Sequence, residues 1–211
     1  MIKIFTKLCL FFITFNILGQ QKAVTESGDE IFVYDNGTWE FVDSEIQKEL
    51  FIPTNDKEFK KDKNSDFLLR SKNIKMGFWI NPKKWTFKKA STNAEAEYQL
   101  KFKEGDLYGM VIAEEIEVPL VNLKDLAVEN ARQVAPDIKI VKEEYRVVNG
   151  LKVLMLEMNG TMQGIKFAYF SYYYSSPKGS LQFITYTSQG LLKKYKSDCE
   201  NLLSGIVDIN E

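Results

Sequence analysis

The sequence contains no histidine. That absence removes the Ser–His–Asp and Cys–His arrangements of nucleophilic catalysis, together with the commonest zinc sites. Cysteine is nearly as scarce, with only Cys9 and Cys199. Cys9 lies inside an apolar N-terminal stretch, so loss of that stretch leaves one thiol and no internal disulfide. Stability must then come from packing. No glycine-rich phosphate loop of either standard spacing is present, and "GDLYGM" at 105–110 does not make one. Charge of one sign is missing too: 28 Lys and Arg face 29 Asp and Glu. A surface so mixed gives no electrostatic case for nucleic acid.

Carboxylates alone remain for acid–base work, and a glycosidase needs only two. The acids at strand positions are Glu114, Glu115, Glu117, Glu143 and Glu144. Neighbouring strand residues point to opposite faces, so each adjacent pair splits. Glu115 and Glu117 share a parity at a solvated strand end. Asp35-Asn36-Gly37 is too short for a calcium loop. The chain is therefore read as non-enzymatic, with no catalytic, cofactor-binding or metal residues.

The first residues set the compartment. Lys3 and Lys7 precede Leu8 to Leu18, apolar apart from Thr14 and Asn16, and Gly19 offers a small residue before Gln20. This length suits a signal-peptide core and falls short of the roughly 20 apolar residues that span a bilayer. Residues 1–19 are expected to be cleaved, which makes the protein exported, periplasmic or extracellular. Cys9 sits within the apolar core rather than after it, which speaks against a lipid-anchored N-terminus. Cleavage removes two of the basic residues and no acid, leaving a net charge of −3. No later apolar run is long enough to span a membrane.

Next comes "IFVYDNGTWEF", 31–41. Asn-Gly is the strongest short hairpin signal, because both residues tolerate positive φ in a two-residue turn. With Asn36-Gly37 at the tip, Tyr34 faces Trp39 and Phe32 faces Phe41. Those four aromatics then share one face of an N-terminal hairpin spanning 20–43. A lone hairpin is marginal in water, so this face must cover something: either the main domain, or a partner protein or sugar. Residues 44–73 read as a charged linker, with "NDKEFKKDKNSD" at 55–66 nearly devoid of apolar side chains.

From residue 74 the pattern is globular. "MGFWINPKKWTF" reads as a strand, a turn at Asn81-Pro82 and an anchor at Trp85. Tyr98, Leu100 and Phe102 alternate with polar residues. Leu107 to Ile116 is a more continuous apolar strand. Leu123, Leu126, Ala127, Ala131 and Val134 recur at helical spacing after Pro119. Four strands follow, with turns at Asn149-Gly150 and Pro177-Lys178-Gly179. A closing helix carries Leu191, Tyr195, Cys199, Leu202 and Ile206 on one side, which makes Cys199 a small buried hydrophobe. Short connections imply an antiparallel sheet, and two amphipathic helices imply that it is covered. The fold class is α+β, an antiparallel sheet covered by amphipathic helices.

The strand 165–175 carries aromatics on both faces. Phe167, Tyr169 and Tyr173 share one, and Phe170, Tyr172 and Tyr174 the other. Covered core is one reading. A ligand surface built on Tyr169, Tyr172, Tyr173 and Tyr174 is the second.

The order of an opening strand running into "NPKKW", paired strands, a helix, a meander containing "NGLKVLMLEM" and a closing amphipathic helix resembles the PsbP-like fold. That superfamily includes the photosystem II extrinsic subunit, a Ran-binding nuclear import factor and bacterial envelope lipoproteins. The resemblance covers about residues 74–209, although this chain lacks a lipobox. "ESGDEIFVYDNGTWEF" is similar to a segment that follows the signal peptide in secreted proteins of flavobacterial type. The resemblance implies an accessory or partner-binding role and brings no catalytic residues. Two roles stay open. One is an envelope accessory module that contacts an envelope protein through Phe32, Tyr34, Trp39 and Phe41. The other is a small-ligand binder, for a lipid or glycan, that uses the tyrosine strand.

Overall fold

A computed structural model describes residues 20–26, 28–42, 52–91 and 95–209. The signal peptide predicted for 1–19 and the first part of the predicted linker, 44–51, lie outside the described residues. The chain divides into two units, Met1–Phe51 and Ile52–Glu211.

In the first unit the Asn-Gly turn forms with three residues at its tip. Tyr34 N–H donates to the Thr38 carbonyl at 2.9 Å and Gly37 N–H to the Tyr34 carbonyl at 2.9 Å. Gly37 has φ +80° while Asn36 stays at negative φ. Asn36 instead uses its side-chain oxygen to accept from Thr38 N–H at 2.9 Å. A two-residue turn of the expected type needs positive φ at both central residues, and Asn36 does not supply it. The register is therefore one residue away from the expected one. Strand β1 (Gln20–Val24) pairs with β2 (Glu30–Tyr34), which pairs with β3 (Trp39–Phe41), so the hairpin is extended to three strands. Ile31 faces Phe41, Phe32 faces Glu40 and Val33 faces Trp39. A one-residue slip moves side chains to the other face. Phe32 and Tyr34 thus lie on one side, where the Tyr34 hydroxyl donates to Glu40. Trp39 and Phe41 lie on the other, packed edge to face at 5.2 Å. The four aromatics do not share one face.

The second unit begins inside the stretch read as a linker, and the linker reading is corrected. Residues 54–59 form β4 (Thr54–Phe59) and residues 67–70 form β5 (Phe67–Arg70). β4 carries almost no apolar signal in the sequence, because it is an edge strand with one buried side chain, Phe59. Its backbone pairs on one side only, so its other positions stay polar. The basic run is folded as well: Lys61 N–H donates to the Asn149 side chain at 3.0 Å, and its ammonium sits 4.4 Å from the Trp79 ring centre.

The remaining elements are β6 (Met76–Ile80), β7 (Trp85–Lys89), β8 (Tyr98–Phe102), β9 (Leu107–Glu114), α1 (Leu120–Val134), β10 (Lys139–Val148), β11 (Leu151–Met162), β12 (Ile165–Ser176), β13 (Gly179–Ser188), α2 (Gln189–Leu203) and β14 (Ile206–Asp208). Eight strands make one sheet in the order β4-β10-β11-β12-β13-β9-β8-β7. Every pairing in it is antiparallel except β4 with β10, which is parallel. A second sheet runs β14-β6-β5. Ile206 belongs to β14 and not to the closing helix.

The two faces of the large sheet are covered differently. On one face α2 buries Leu192, Tyr195, Cys199, Leu202 and Leu203 in a cluster with Phe170, Tyr172 and Phe183, and the small sheet adds Met76, Phe78 and Ile80. Phe78 meets Phe183 edge to face at 5.0 Å. Full burial of a side chain of this size contributes about 1.5–3 kcal/mol. Cys199 is fully buried and free, and burial pushes its thiol up to about 11. On the other face α1 packs mainly on β11 and β12, setting Leu123, Ala127 and Ala131 against Leu154, Leu156, Met158 and Tyr173. That leaves β13, β9, β8 and β7 without a helix on this side.

Candidate functional site

The half-sheet beside α1 is built from cross-strand partners. Strand pairing runs Met158 to Tyr169, Tyr169 to Tyr186, Tyr186 to Tyr108, Tyr108 to Lys101 and Lys101 to Thr86. Directly opposed side chains share a face, so these six residues form one row across six strands. Tyr108 and Tyr186 stack at 5.5 Å and 20°. Tyr169 meets Tyr186 edge to face at 6.2 Å, and the Lys101 ammonium lies 5.9 Å from the Tyr108 ring centre. All three tyrosines are half-buried and Lys101 is exposed. Burial raises the Tyr169 and Tyr186 hydroxyls above their ordinary value, so both stay protonated donors. A depression of about 480 Å³ runs past Tyr108, Tyr186, Lys101, Gln99 and Thr86.

Next to this row, between α1 and the sheet, lies a cleft of about 170 Å³. The sheet contributes Met110, Ile112 and Ile184, the helix Ala127 and Ala131, and Tyr169 and Tyr173, four residues apart on β12, also line it. The alanines explain the space: one turn earlier the same helix face carries Leu123, which is fully buried. Gln182 also lines the cleft and is 6% exposed. No described residue hydrogen-bonds its side-chain amide. Glu95, Asn130 and Val134 border the opening.

Of the residues predicted as a ligand surface, Tyr169 and Tyr173 reach this cleft. Tyr172 and Tyr174 do not, because alternation puts them on the α2 face, where Tyr172 is fully buried and Tyr174 packs on the core. Tyr108, Tyr186 and Gln182 escaped the sequence reading. Their signal is parity within "LYGMVI" and "LQFITY", which becomes informative only once the strands are paired.

Glu143 and Glu144 do not converge. Glu143 ion-pairs with Lys124 of α1 at 2.8 Å. Glu144 points to the opposite face and is buried there beside Arg146. Arg146 donates to Glu144 at 2.6 Å, to the Tyr172 hydroxyl at 2.7 Å and to Glu200 at 3.1 Å, and lies 4.3 Å over the Phe59 ring. Burial alone would raise the Glu144 carboxyl, but hydrogen bonds from Lys142, Asn55 and Arg146 hold it at about 2. A carboxylate so depressed is a poor proton carrier, and the cluster reads as a clamp joining β4, β10, β12 and α2. Among the described residues no three His, Cys, Asp or Glu side chains group closely enough to hold a metal ion. Nor is any described helix long and apolar enough to cross a membrane.

The solution structure of cyanobacterial PsbP (CyanoP) from Synechocystis sp. PCC 6803 superposes with a TM-score of 0.53 over 70% of this chain and 94% of that one. The fold is PsbP-like. At 16% identity, the fold is what the two share. A protein of unknown function from Pseudomonas aeruginosa, PA94, covers 67% of this chain at TM-score 0.42 and 14% identity, with 95% of its own length covered. A Bacteroides thetaiotaomicron protein covers 65% at TM-score 0.45 and 7% identity, with 46% of its own length covered. No family model and no curated protein matches the chain in sequence. The half-sheet and its cleft are built by particular side chains of this chain.

Proposed function

We propose that this is an exported, non-enzymatic binding protein whose recognition site is the cleft under α1 together with the Tyr169, Tyr186 and Tyr108 row beside it. The observation that carries the reading is the mismatch between helix and sheet: α1 packs mainly on β11 and β12, and the strands beyond β12 leave half-buried tyrosines and a cleft beside it. Ligand sites are commonly such concave, mostly apolar places with a few polar groups. The leader-like N-terminus supports export, and the lack of histidine together with the split carboxylates supports a role without catalysis. The test is a melting-temperature screen of the protein against small amphiphiles, run beside Ala131→Met, which fills the cleft. A ligand at 100 times its Kd stabilises by about 2.7 kcal/mol. Ligands that raise the melting temperature of the wild type and leave Ala131→Met unmoved support the reading. Equal shifts in both proteins place binding elsewhere.

A second reading has its own observation. Trp39 is 56% exposed and rests edge to face on Phe41. On this reading Trp39 and Phe41, with Ile31 and Val33 on the same face, dock an envelope protein, while Phe32 and Tyr34 point away. Cross-linked capture from the cell envelope with wild type and Trp39→Ala tests it. A partner retained by the variant removes Trp39 from the contact.

A further inference from the structure

We infer that the cleft takes a small uncharged amphiphile: one apolar body of about aromatic-ring size, with a single neutral hydrogen-bonding head received by Gln182. This inference rests on the ligand-binding reading above and names its chemical class.

Size sets the first limit. The cleft holds about 170 Å³, and an apolar cavity of about 150 Å³ is known to accept benzene. Room exists because the sheet-facing positions of α1 at 127 and 131 are alanines, one turn apart, opposite Ile112 and Ile184. Met110 and Met158 also line the space, and their unbranched thioethers adapt to the shape of a guest.

The head group follows from Gln182. The residue is 6% exposed, lines the cleft, and its side-chain amide makes no hydrogen bond to a described residue. Water in the open cleft is its alternative partner, and a guest that displaces that water must replace its hydrogen bonds. A primary amide offers both a donor and an acceptor. Its complement is therefore a group offering both in return, such as another amide or an alcohol. Tyr173, the direct cross-strand partner of Gln182, lines the cleft beside it.

Charge excludes the other heads. The lining contains no Lys or Arg, and its one carboxylate, Glu95, is exposed at the opening. An anion would be desolvated with no cation to meet it. A cation finds a single carboxylate, Glu95, and that one is exposed to water, which weakens its attraction. In this the cleft differs from the depression lined by Arg70, Lys72, Lys75 and Lys178.

Benzamide, benzoate and benzylammonium share one ring and differ in head charge. Each is titrated into 15N-labelled protein, purified after expression of the full chain, while amide resonances are followed. Benzamide is expected to bind saturably at about 1–10 mM, as suits an unoptimised fragment, and to move the Gln182 side-chain amide with the Ala131 and Ile184 backbone signals. Benzoate and benzylammonium are expected to bind at least tenfold more weakly. Gln182→Leu should weaken benzamide about tenfold and remove the discrimination, and Ala131→Met should abolish binding with the rest of the spectrum unchanged. If a charged congener binds as tightly as benzamide, or the Gln182 amide stays still while the cleft fills, the neutral-amphiphile inference falls and the cleft reading stands. If none of the three moves the cleft resonances, both fall.

Discussion

Tyr108 on β9 and Tyr186 on β13 are direct cross-strand partners, and their rings stack at 5.5 Å with 20° between planes. Neither is core, for both are half-buried on the side of the sheet that α1 does not reach. A stacked pair contributes about 0.5–1.5 kcal/mol beyond the area it buries. Tyr108→Ala and Tyr186→Ala are each expected to destabilise the protein by about 1–2 kcal/mol. The double variant should lose less than the sum, by about 0.5–1.5 kcal/mol. Urea unfolding of the four proteins measures this coupling, and additive losses would mean that the rings do not interact.

The Asn149-Gly150 turn does more than reverse the chain. Asn149 has φ +48° and Gly150 φ +83°. The Asn149 amide nitrogen donates to the carbonyls of Ser204 and Ile206, each at 2.8 Å, and its oxygen accepts from Lys61 N–H at 3.0 Å. The side chain thus ties the end of α2 and the start of β14 to the segment after β4. Asn149→Ala should cost about 2–4 kcal/mol. Asn149→Asp should cost more, because it turns an acceptor toward two carbonyl oxygens. Chemical denaturation ranks the two variants, and an Asp variant as stable as wild type would refute the arrangement.

The Glu144–Arg146 pair gives stability a defined pH dependence. The folded-state value of Glu144, about 2, lies below the ordinary 4.5. A depressed carboxyl contributes stability that is fully present above its unfolded value and is lost as pH falls through the folded one. The loss attributable to Glu144 should therefore fall between about pH 4.5 and 2. Glu144→Gln should flatten that part of the stability–pH curve. Arg146→Met leaves the Glu144 charge buried without its partner and should cost about 3–5 kcal/mol, of which Glu144→Met in the same protein restores a large part. Thermal melts at pH 3, 5 and 7 distinguish these cases.

The N-terminal register is open to a covalent test. Ile31 and Phe41 face each other across β2 and β3, flanked by the hydrogen bond from Val42 N–H to the Glu30 carbonyl at 3.0 Å. They form a non-hydrogen-bonded pair, in which side chains approach most closely. Ile31→Cys with Phe41→Cys should oxidise readily to a disulfide, while Phe32→Cys with Phe41→Cys should not. The native Cys199 is buried and should not interfere. Non-reducing mass spectrometry reads the outcome, and the reverse preference would restore the two-residue turn.

Legibility in the sequence followed burial. Helix α1 and the β10–β13 meander were readable because their apolar residues repeat at the period of the element. β4 was not, since an exposed edge strand carries almost no apolar signal: Asn55, Asp56, Lys57 and Glu58 hide the backbone pairing with β10. The N-terminal register failed at one residue, where Asn36 chose a side-chain hydrogen bond over positive φ. At the candidate site the strand bearing Tyr169 and Tyr173 was visible as aromatic-rich. Parity placed Tyr172 and Tyr174 on the other face, yet all four were grouped as one surface. Tyr108, Tyr186 and Gln182 depend on the pairing of β9 with β13, in which the partners Tyr108 and Tyr186 lie 78 positions apart in the chain, which no local pattern encodes.

A crystallographic fragment screen tests the central claim most directly, since it lets compounds choose their place on the molecule. Neutral ring compounds are expected to collect between Ala131 and Ile184, with a polar atom within hydrogen-bond distance of the Gln182 amide. Compounds that settle only in other depressions, such as that of Arg70, Lys72 and Lys178, and leave the cleft under α1 empty would contradict it.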